Sequence, residues 1–191
     1  SNVVRVSNEA DNMNQTEMVL SKFLELKREA DYRKFDTASL TLSKELRHSL
    51  PCKFPPIEIT NLYDGWHEKL GLDLAWLIIG FAGAFNPLHT DVWSTSTWNL
   101  LLSGRKEWVI VGPTGSPEIQ WVQLPGEVMH IPSDWAHSVA YNEDSVSITE
   151  NYVQPELAHR TIDHQCKDGL DGLSHFTQKL LFAHDRVRAE L

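Results

Sequence analysis

From residue 74 to residue 153 the chain repeats one pattern: a short run suited to a strand, then a cluster of Gly, Pro, Asn or Asp. Strand-like runs fall at 74–80, 96–102, 107–111, 119–123, 127–131, 138–141 and 145–153. Between them lie Ser103-Gly104, the run 112–117, Pro125-Gly126, Pro132-Ser133-Asp134 and Asn142-Glu143-Asp144. Gly reaches positive φ, Pro presets φ, and Asn and Asp bond their own backbone, so these clusters are turns with a mechanism. Many short strands at this spacing predict a sandwich or jelly roll.

The flanks read differently. A brief strand is expected at 3–6. Asn14-Gln15-Thr16-Glu17 has the form of a capping box. Val19, Leu20, Phe23, Leu24 and Lys27 follow with helical spacing, which predicts a core-packing helix over about 15–30. Tyr32 to Phe35 reads as a strand and 41–49 as a helical turn, while Pro51, Pro55 and Pro56 break any long element. After Val153, a helix starting within 155–164 and a second amphipathic one through Leu173, Phe176, Leu180 and Leu181 are expected. The second could pack on the jelly roll or on a second subunit as a homodimer contact.

The 191 residues suffice for one domain with a sizeable core. We expect a single unit over 1–191: a mixed segment at about 14–73, a jelly roll at about 74–153 and a helical segment at about 155–191. The net charge of −9, with no block of Lys and Arg, gives little support to phosphate-dominated nucleic-acid binding. No signal sequence opens the chain and no apolar stretch is long enough for a membrane span, so cytoplasm or nucleus is the expected location. Cys52 and Cys166 read as two buried thiols.

His89-Thr90-Asp91 is the first candidate for chemistry. On an extended segment, side chains two apart point to one side. His137 follows a Pro-containing turn and opens a strand, so its imidazole can be aimed. Two imidazoles and one carboxylate on one face of a metal leave the other face open, as in non-haem Fe(II) oxygenases. His130, inside a strand with no turn to aim it, is the rival third ligand. His159, His164 and Cys166 lack a fourth ligand for a zinc site. Lys106 is either an exposed strand-start residue or a buried cation for an anionic ligand. Asn99 and Thr149 are either outward-facing polar residues or pocket lining.

Five blocks together resemble the jumonji-C family: Pro87 to Trp93 around His89 and Asp91, Ser96 to Asn99, Gly104 to Trp108, Pro125 to His137, and Val146 to Asn151. The likeness is greatest to its small stand-alone protein hydroxylases and covers roughly 76–153. It implies a mainly β, cupin-like double-stranded β-helix with flanking helices. It implies iron ligands at His89, Asp91 and His137. Lys106 and Thr149 match contacts to the distal carboxylate of 2-oxoglutarate. Asn99 and Asn151 match polar residues of that pocket, and Tyr32 is the nearest counterpart of an upstream pocket tyrosine. Trp93, Trp98 and Trp108 either help close the pocket or are plain core.

The resemblance implies an Fe(II)- and 2-oxoglutarate-dependent oxygenase that consumes O2, releases succinate and CO2, and hydroxylates a side chain of a protein or peptide substrate. Methyl-lysine demethylation by the same chemistry is the alternative, as is a non-catalytic metal-binding interaction module. A cupin with another metal and no 2-oxoglutarate would have no use for Lys106 and Thr149. The family's domain is already under way where this chain begins, so an N-terminal truncation is expected. The connection 111–125 is short where relatives often carry a long insertion, which leaves a more open site.

Overall fold

The computed structural model describes residues 3–8, 11–28, 37–42, 47, 50, 54–64, 66, 70–72, 74–114 and 116–189, with the side chains of 7, 8, 11–15, 27, 28 and 187 left aside. Its strands are β1 (Val3–Asn8), β2 (Asp11–Val19), β3 (Thr37–Thr41), β4 (Ala75–Gly80), β5 (Phe85–His89), β6 (Ser96–Ser103), β7 (Lys106–Val111), β8 (Glu118–Gln123), β9 (Val128–Ile131), β10 (Ala136–Tyr141) and β11 (Ser145–Tyr152). Its α-helices are α1 (Leu20–Arg28), α2 (Ala158–Lys167) and α3 (Asp171–Ala189).

A seven-stranded sheet runs β2-β1-β3-β4-β11-β6-β9 and a four-stranded sheet runs β5-β10-β7-β8. The pairings are antiparallel and nested: β4 with β11, β5 with β10, β6 with β9 and β7 with β8. A long hairpin centred on the turn between β7 and β8 has thus rolled over on itself, sending successive pairs to opposite sheets. That is a jelly roll, and the chain is mainly β with helices at both ends, as expected.

Trp108, Ile110, Ile131, Val139 and Tyr141 fill the space between the sheets. Trp98, Leu100, Ile148 and Tyr152 cover the opposite face of the larger sheet with Leu42 and Ala75. β6 and β11 are therefore buried on both faces, which is why β6 reads as a nearly continuous run rather than an alternating one.

The N-terminal expectation needs correction. Asp11–Val19 is a strand, and the helix begins only at Leu20. β2 pairs with β1 along its length, Val4 facing Met18 and Val3 facing Val19, so sheet pairing overrides the local capping pattern at 14–17. Phe23 of α1 then stacks on Phe81 at 4.7 Å, closing a core over β1. β3 and β5 carried no pattern that separated them from loop. The Tyr32–Phe35 strand and most of the 41–49 turn lie outside the described residues. Cys52 does as well, and Cys166 is exposed rather than buried.

At the other end α2 stops in a Schellman turn: Leu170 N donates to Gln165 O, and Gly169 N to Cys166 O, with Gly169 at φ 73°. Tyr63, Gln165 and Thr177 close a buried ring of side-chain hydrogen bonds of 2.6–2.9 Å. Leu180 and Leu181 of α3 pack with Leu62, Leu74 and Val153, so this helix lies against its own roll. No described helix is long and apolar enough to cross a membrane.

Two stability predictions follow from this packing. A Cβ on Gly80 would run into the ring of Tyr141. Gly80→Ala is expected to cost about 1–3 kcal/mol in urea unfolding; unchanged stability would mean that β4 and Tyr141 do not meet. The second concerns Glu150, whose carboxylate takes Trp98 Nε1 at 3.1 Å and Arg47 Nη1 at 3.5 Å. Burial outweighs both and pushes the carboxyl from 4.5 up to about 7. A folded pKa above the unfolded one means that the native chain binds the extra proton between those values. Stability is therefore expected to rise as pH falls from about 7 toward 4.5, and Glu150→Gln should flatten that slope in urea melts across the range.

Candidate metal centre

The site begins with a register. In the smaller sheet His89 of β5 lies opposite His137 of β10, which lies opposite Ile110 of β7, which lies opposite Ile119 of β8. These four share one row on the inner face. The two imidazole centroids are 4.3 Å apart. His89 is half-buried and His137 buried.

Asp91 follows β5 in extended geometry, φ −67° and ψ 156°, so its carboxylate falls on the side of His89, as the period of two requires. A 3-10 turn, Val92–Ser94, then swings the chain into the larger sheet. Trp93 and Ser94 take φ of 51° and 54° there, a left-handed pair that costs on the order of 1–2 kcal/mol per residue. Packing of Trp93 among the apolar side chains under α3 offsets that cost. Ligand atoms of His89, Asp91 and His137 lie within 4.8 Å of one another.

The donor chemistry suits a divalent metal. His89 Nδ1 donates to Pro87 O at 2.7 Å and His137 Nδ1 to Trp135 O at 3.4 Å, which leaves each Nε2 lone pair for an ion. Asp91 Oδ2 accepts from Thr97 Oγ1 at 2.6 Å, which holds the carboxylate and leaves Oδ1 available. Burial lowers the pKa of His137, opposed by the Asp91 carboxylate, so its neutral, ligating form is favoured.

Two further rows lie deeper. The middle one holds Val139, Trp108 and Trp121, and the deepest Tyr141, Lys106 and Gln123. Lys106 is 1% exposed, so it is a buried cation and not a surface strand start. From Ile110 to Lys106 the strand covers about 13–14 Å. Lys106 Nζ crosses to the larger sheet, donates to Ser147 Oγ at 2.7 Å and lies 4.9 Å from the Tyr141 ring centre.

The larger sheet answers with a polar strip. Thr97 pairs with Asn151 near Asp91, Asn99 with Thr149 in the middle, and Leu101 with Ser147 at the Lys106 end. All of these side chains are buried. Thr149 Oγ1 donates to Trp98 O at 2.8 Å, and Asn151 Nδ2 to Thr95 Oγ1 at 3.0 Å, bracing the chain just after the Asp91 turn. Asn99 Oδ1 is buried with no hydrogen-bond partner among the described residues. A polar atom left so inside a core marks a place where a ligand or water completes the network.

The structure thus brings together His89, Asp91 and His137 at one end and Lys106, Thr149 and Asn99 along the roll. Asn151 braces the Asp91 turn. Tyr32 lies outside the described residues. His130 points to the other face and bonds Tyr152 OH at 2.8 Å, so it is not a ligand of this group. His159, His164 and Cys166 are exposed on α2. Trp98 is sealed against the outer face and does not line the site. Trp108 does approach, with its ring 5.9 Å from that of His137. Sequence reasoning missed Ser147 and Thr97. The signal was the polar alternation of Ser145, Ser147, Thr149 and Asn151 on β11, which reads as a solvated face and is an interior one.

The chain is similar in sequence to several curated proteins. An arginine-specific demethylase, JMJ22, of Arabidopsis thaliana is 34% identical over 115 residues, 42% of this chain and 23% of the relative. The bifunctional arginine demethylase and lysyl-hydroxylase psr-1 of Caenorhabditis elegans is 25% identical over 163 residues, 65% of this chain and 41% of the relative. The 2-oxoglutarate and iron-dependent oxygenase JMJD4 of Gallus gallus is 26% identical over 124 residues, 48% of this chain and 29% of the relative. The chain is jumonji-C-like. It spans well under half the length of these relatives. No family model matches it. Among solved structures, the cupin domain of Drosophila melanogaster CENP-C superposes with a TM-score of 0.38 at 12% identity over 41% of this chain and 59% of that one.

Thr97→Val removes the only hydrogen bond described to the Asp91 carboxylate. Loss of a bond of this kind commonly costs 10–100-fold in metal affinity. Titration with Co(II) should show a drop of about tenfold or more, restored by Thr97→Ser. Unchanged affinity would place the metal elsewhere.

Proposed function

We propose that the chain is an Fe(II)- and 2-oxoglutarate-dependent oxygenase that hydroxylates a side chain of a protein substrate. The observation that carries this reading is the pairing of a facial His-Asp-His set with a buried lysine two rows deeper, joined by a polar strip. A metal-only site needs no such cation. A linear dicarboxylate does, because its far charge must be matched in a place from which water is excluded.

In this reading His89, Asp91 and His137 hold Fe(II) and leave coordination positions open. Bound iron, with 2-oxoglutarate and O2, supplies the oxidation: one oxygen atom goes to the substrate C–H, the other to succinate, and CO2 is released. The protein's own part is placement. Lys106 would meet the far carboxylate, and Ser147 fixes the position of its ammonium. Asn99, turned about its last side-chain bond, offers its amide N–H to the cofactor. Thr149 joins it only if its hydroxyl leaves the Trp98 carbonyl. Trp108 and Val139 bring apolar side chains from the smaller sheet to the middle of the roll, facing the Asn99–Thr149 strip, which helps keep water from the reaction. The jelly roll at about 74–153 with its flanks is proposed to act as one unit.

Demethylation of a methylated side chain is the second reading, and the relative psr-1 is named for both reactions. Both begin with hydroxylation of a C–H, so this site serves either.

Under anaerobic conditions, Fe(II) with 2-oxoglutarate is expected to give a visible charge-transfer band. Lys106→Ala should weaken 2-oxoglutarate about 100-fold, the scale on which losing a buried ionic partner is felt. Asp91→Ala should abolish the band and succinate formation. A wild-type chain without the band, or a Lys106→Ala chain with unchanged affinity, would end this assignment.

A further inference from the structure

The inner face of β8 is exposed where it should be covered. Gln123, Trp121 and Ile119 stand in register with Lys106, Trp108 and Ile110, all three buried. Gln123 is sealed as well, through bonds to Trp108 Nε1, Asn99 O and Glu127 O. Yet Trp121 is 52% exposed and Ile119 41%. The two sheets therefore part toward the metal end, and an aromatic and an aliphatic side chain are left standing in the gap. Ile119 belongs to the same row as His89 and His137.

β8 is also a sheet edge, with β7 on one side and no strand on the other among the described residues. Its six residues, Glu118-Ile119-Gln120-Trp121-Val122-Gln123, contain no Pro and no Lys, the usual guards of a free edge. At the turn into β9, Glu127 is pinned beside the indole: its Oε2 accepts from Trp121 Nε1 at 3.4 Å and from Leu124 N at 2.9 Å. The face thus carries a flat π surface, a fixed carboxylate and an open row of backbone donors and acceptors.

We propose that β8 is the docking edge for an extended, basic polypeptide segment, which adds as a further strand and sets a Lys or Arg against Trp121 and Glu127. This rests on the oxygenase reading and names the kind of substrate that the site receives. Backbone pairing supplies affinity and the Trp121–Glu127 pair supplies selection for a cation. The net charge of −9 favours a cationic partner and disfavours both a polyanion and a second copy of this chain. Three strand spacings separate a strand added on β8 from β10, about 14 Å. That is about four to five residues of extended chain, so the oxidised residue lies about that far from the basic anchor.

The test uses the metal-free full chain and fluorescein-labelled decapeptides, one alternating Lys and Val, the other Glu and Val, read by anisotropy. The Lys–Val peptide should bind saturably and the Glu–Val peptide should not. Trp121→Ala should weaken binding about tenfold or more, a loss within the range for a cation on an aromatic face. Glu127→Gln should weaken it severalfold and reduce its salt dependence. Ile119→Ser, at a second exposed position, guards against a Trp121 variant that misfolds, and should also weaken binding by removing apolar contact without changing charge. Equal binding of the two peptides, or wild-type affinity in Trp121→Ala or Ile119→Ser folded by circular dichroism, overturns the proposal. So does a dimer that Trp121→Ala dissolves, which would assign the face to a second copy, or tighter binding of a single-stranded oligonucleotide. Recording the Fe(II)–2-oxoglutarate band on the same samples separates the two claims. A band without peptide binding removes this inference alone, whereas selective, Trp121-dependent peptide binding without a band keeps the docking edge and removes the oxygenase reading.

Discussion

His89 faces His137 across two antiparallel strands, and the other site residues are placed relative to that pair. Strand side chains alternate, so a slip of one residue between β5 and β10 would turn one imidazole out of the roll. The same register carries His137 to Ile110 and, four residues back along β7, to the Lys106 row. Metal end and cation end are thus held by one set of backbone hydrogen bonds, at a separation set by the rise of a strand. Asp91 joins through a turn whose left-handed residues are held by packing under α3.

A buried lysine is expensive, and the interior shows how this one is accommodated. Ser147 crosses from the larger sheet to accept from Nζ, and the Tyr141 face lies 4.9 Å away. The strip from Thr97 through Asn99 and Thr149 to Ser147 replaces apolar packing with groups that must each find a partner. Most do so within the protein, and Asn99 Oδ1 has no partner among the described residues. A roll selected for stability alone would fill these positions with hydrophobes. In the proposed reading, their presence marks the ligand's path more narrowly than the His89, Asp91 and His137 set does.

Much of this was legible in the sequence because turn chemistry is local. Gly104, Gly126 and the Pro132–Asp134 turn marked strand ends, and all seven strand-like runs lie within about two residues of the observed bounds. His-x-Asp was legible because the period of two needs no tertiary knowledge. What failed depended on partners far away in sequence. Residues 14–19 have helical local signals, yet β1 draws them into a hairpin. Trp98 reads equally as pocket wall or core, and the choice needed the far strands: β6 is covered on both faces and this side chain is core on the other one. Ser147 was hidden because polar alternation on β11 has the same pattern whether the polar face meets water or an interior that holds ions. β5 lacked an alternating pattern of its own, since Pro87 and the ligand His89 occupy it.

The most direct test is a crystal structure with Mn(II) and 2-oxoglutarate, with anomalous scattering to place the ion. The account predicts the metal between His89, Asp91 and His137, with the diacid running along the Asn99–Thr149 strip and its far carboxylate on Lys106. An ion bound elsewhere, or a diacid whose far carboxylate does not reach Lys106, would contradict it.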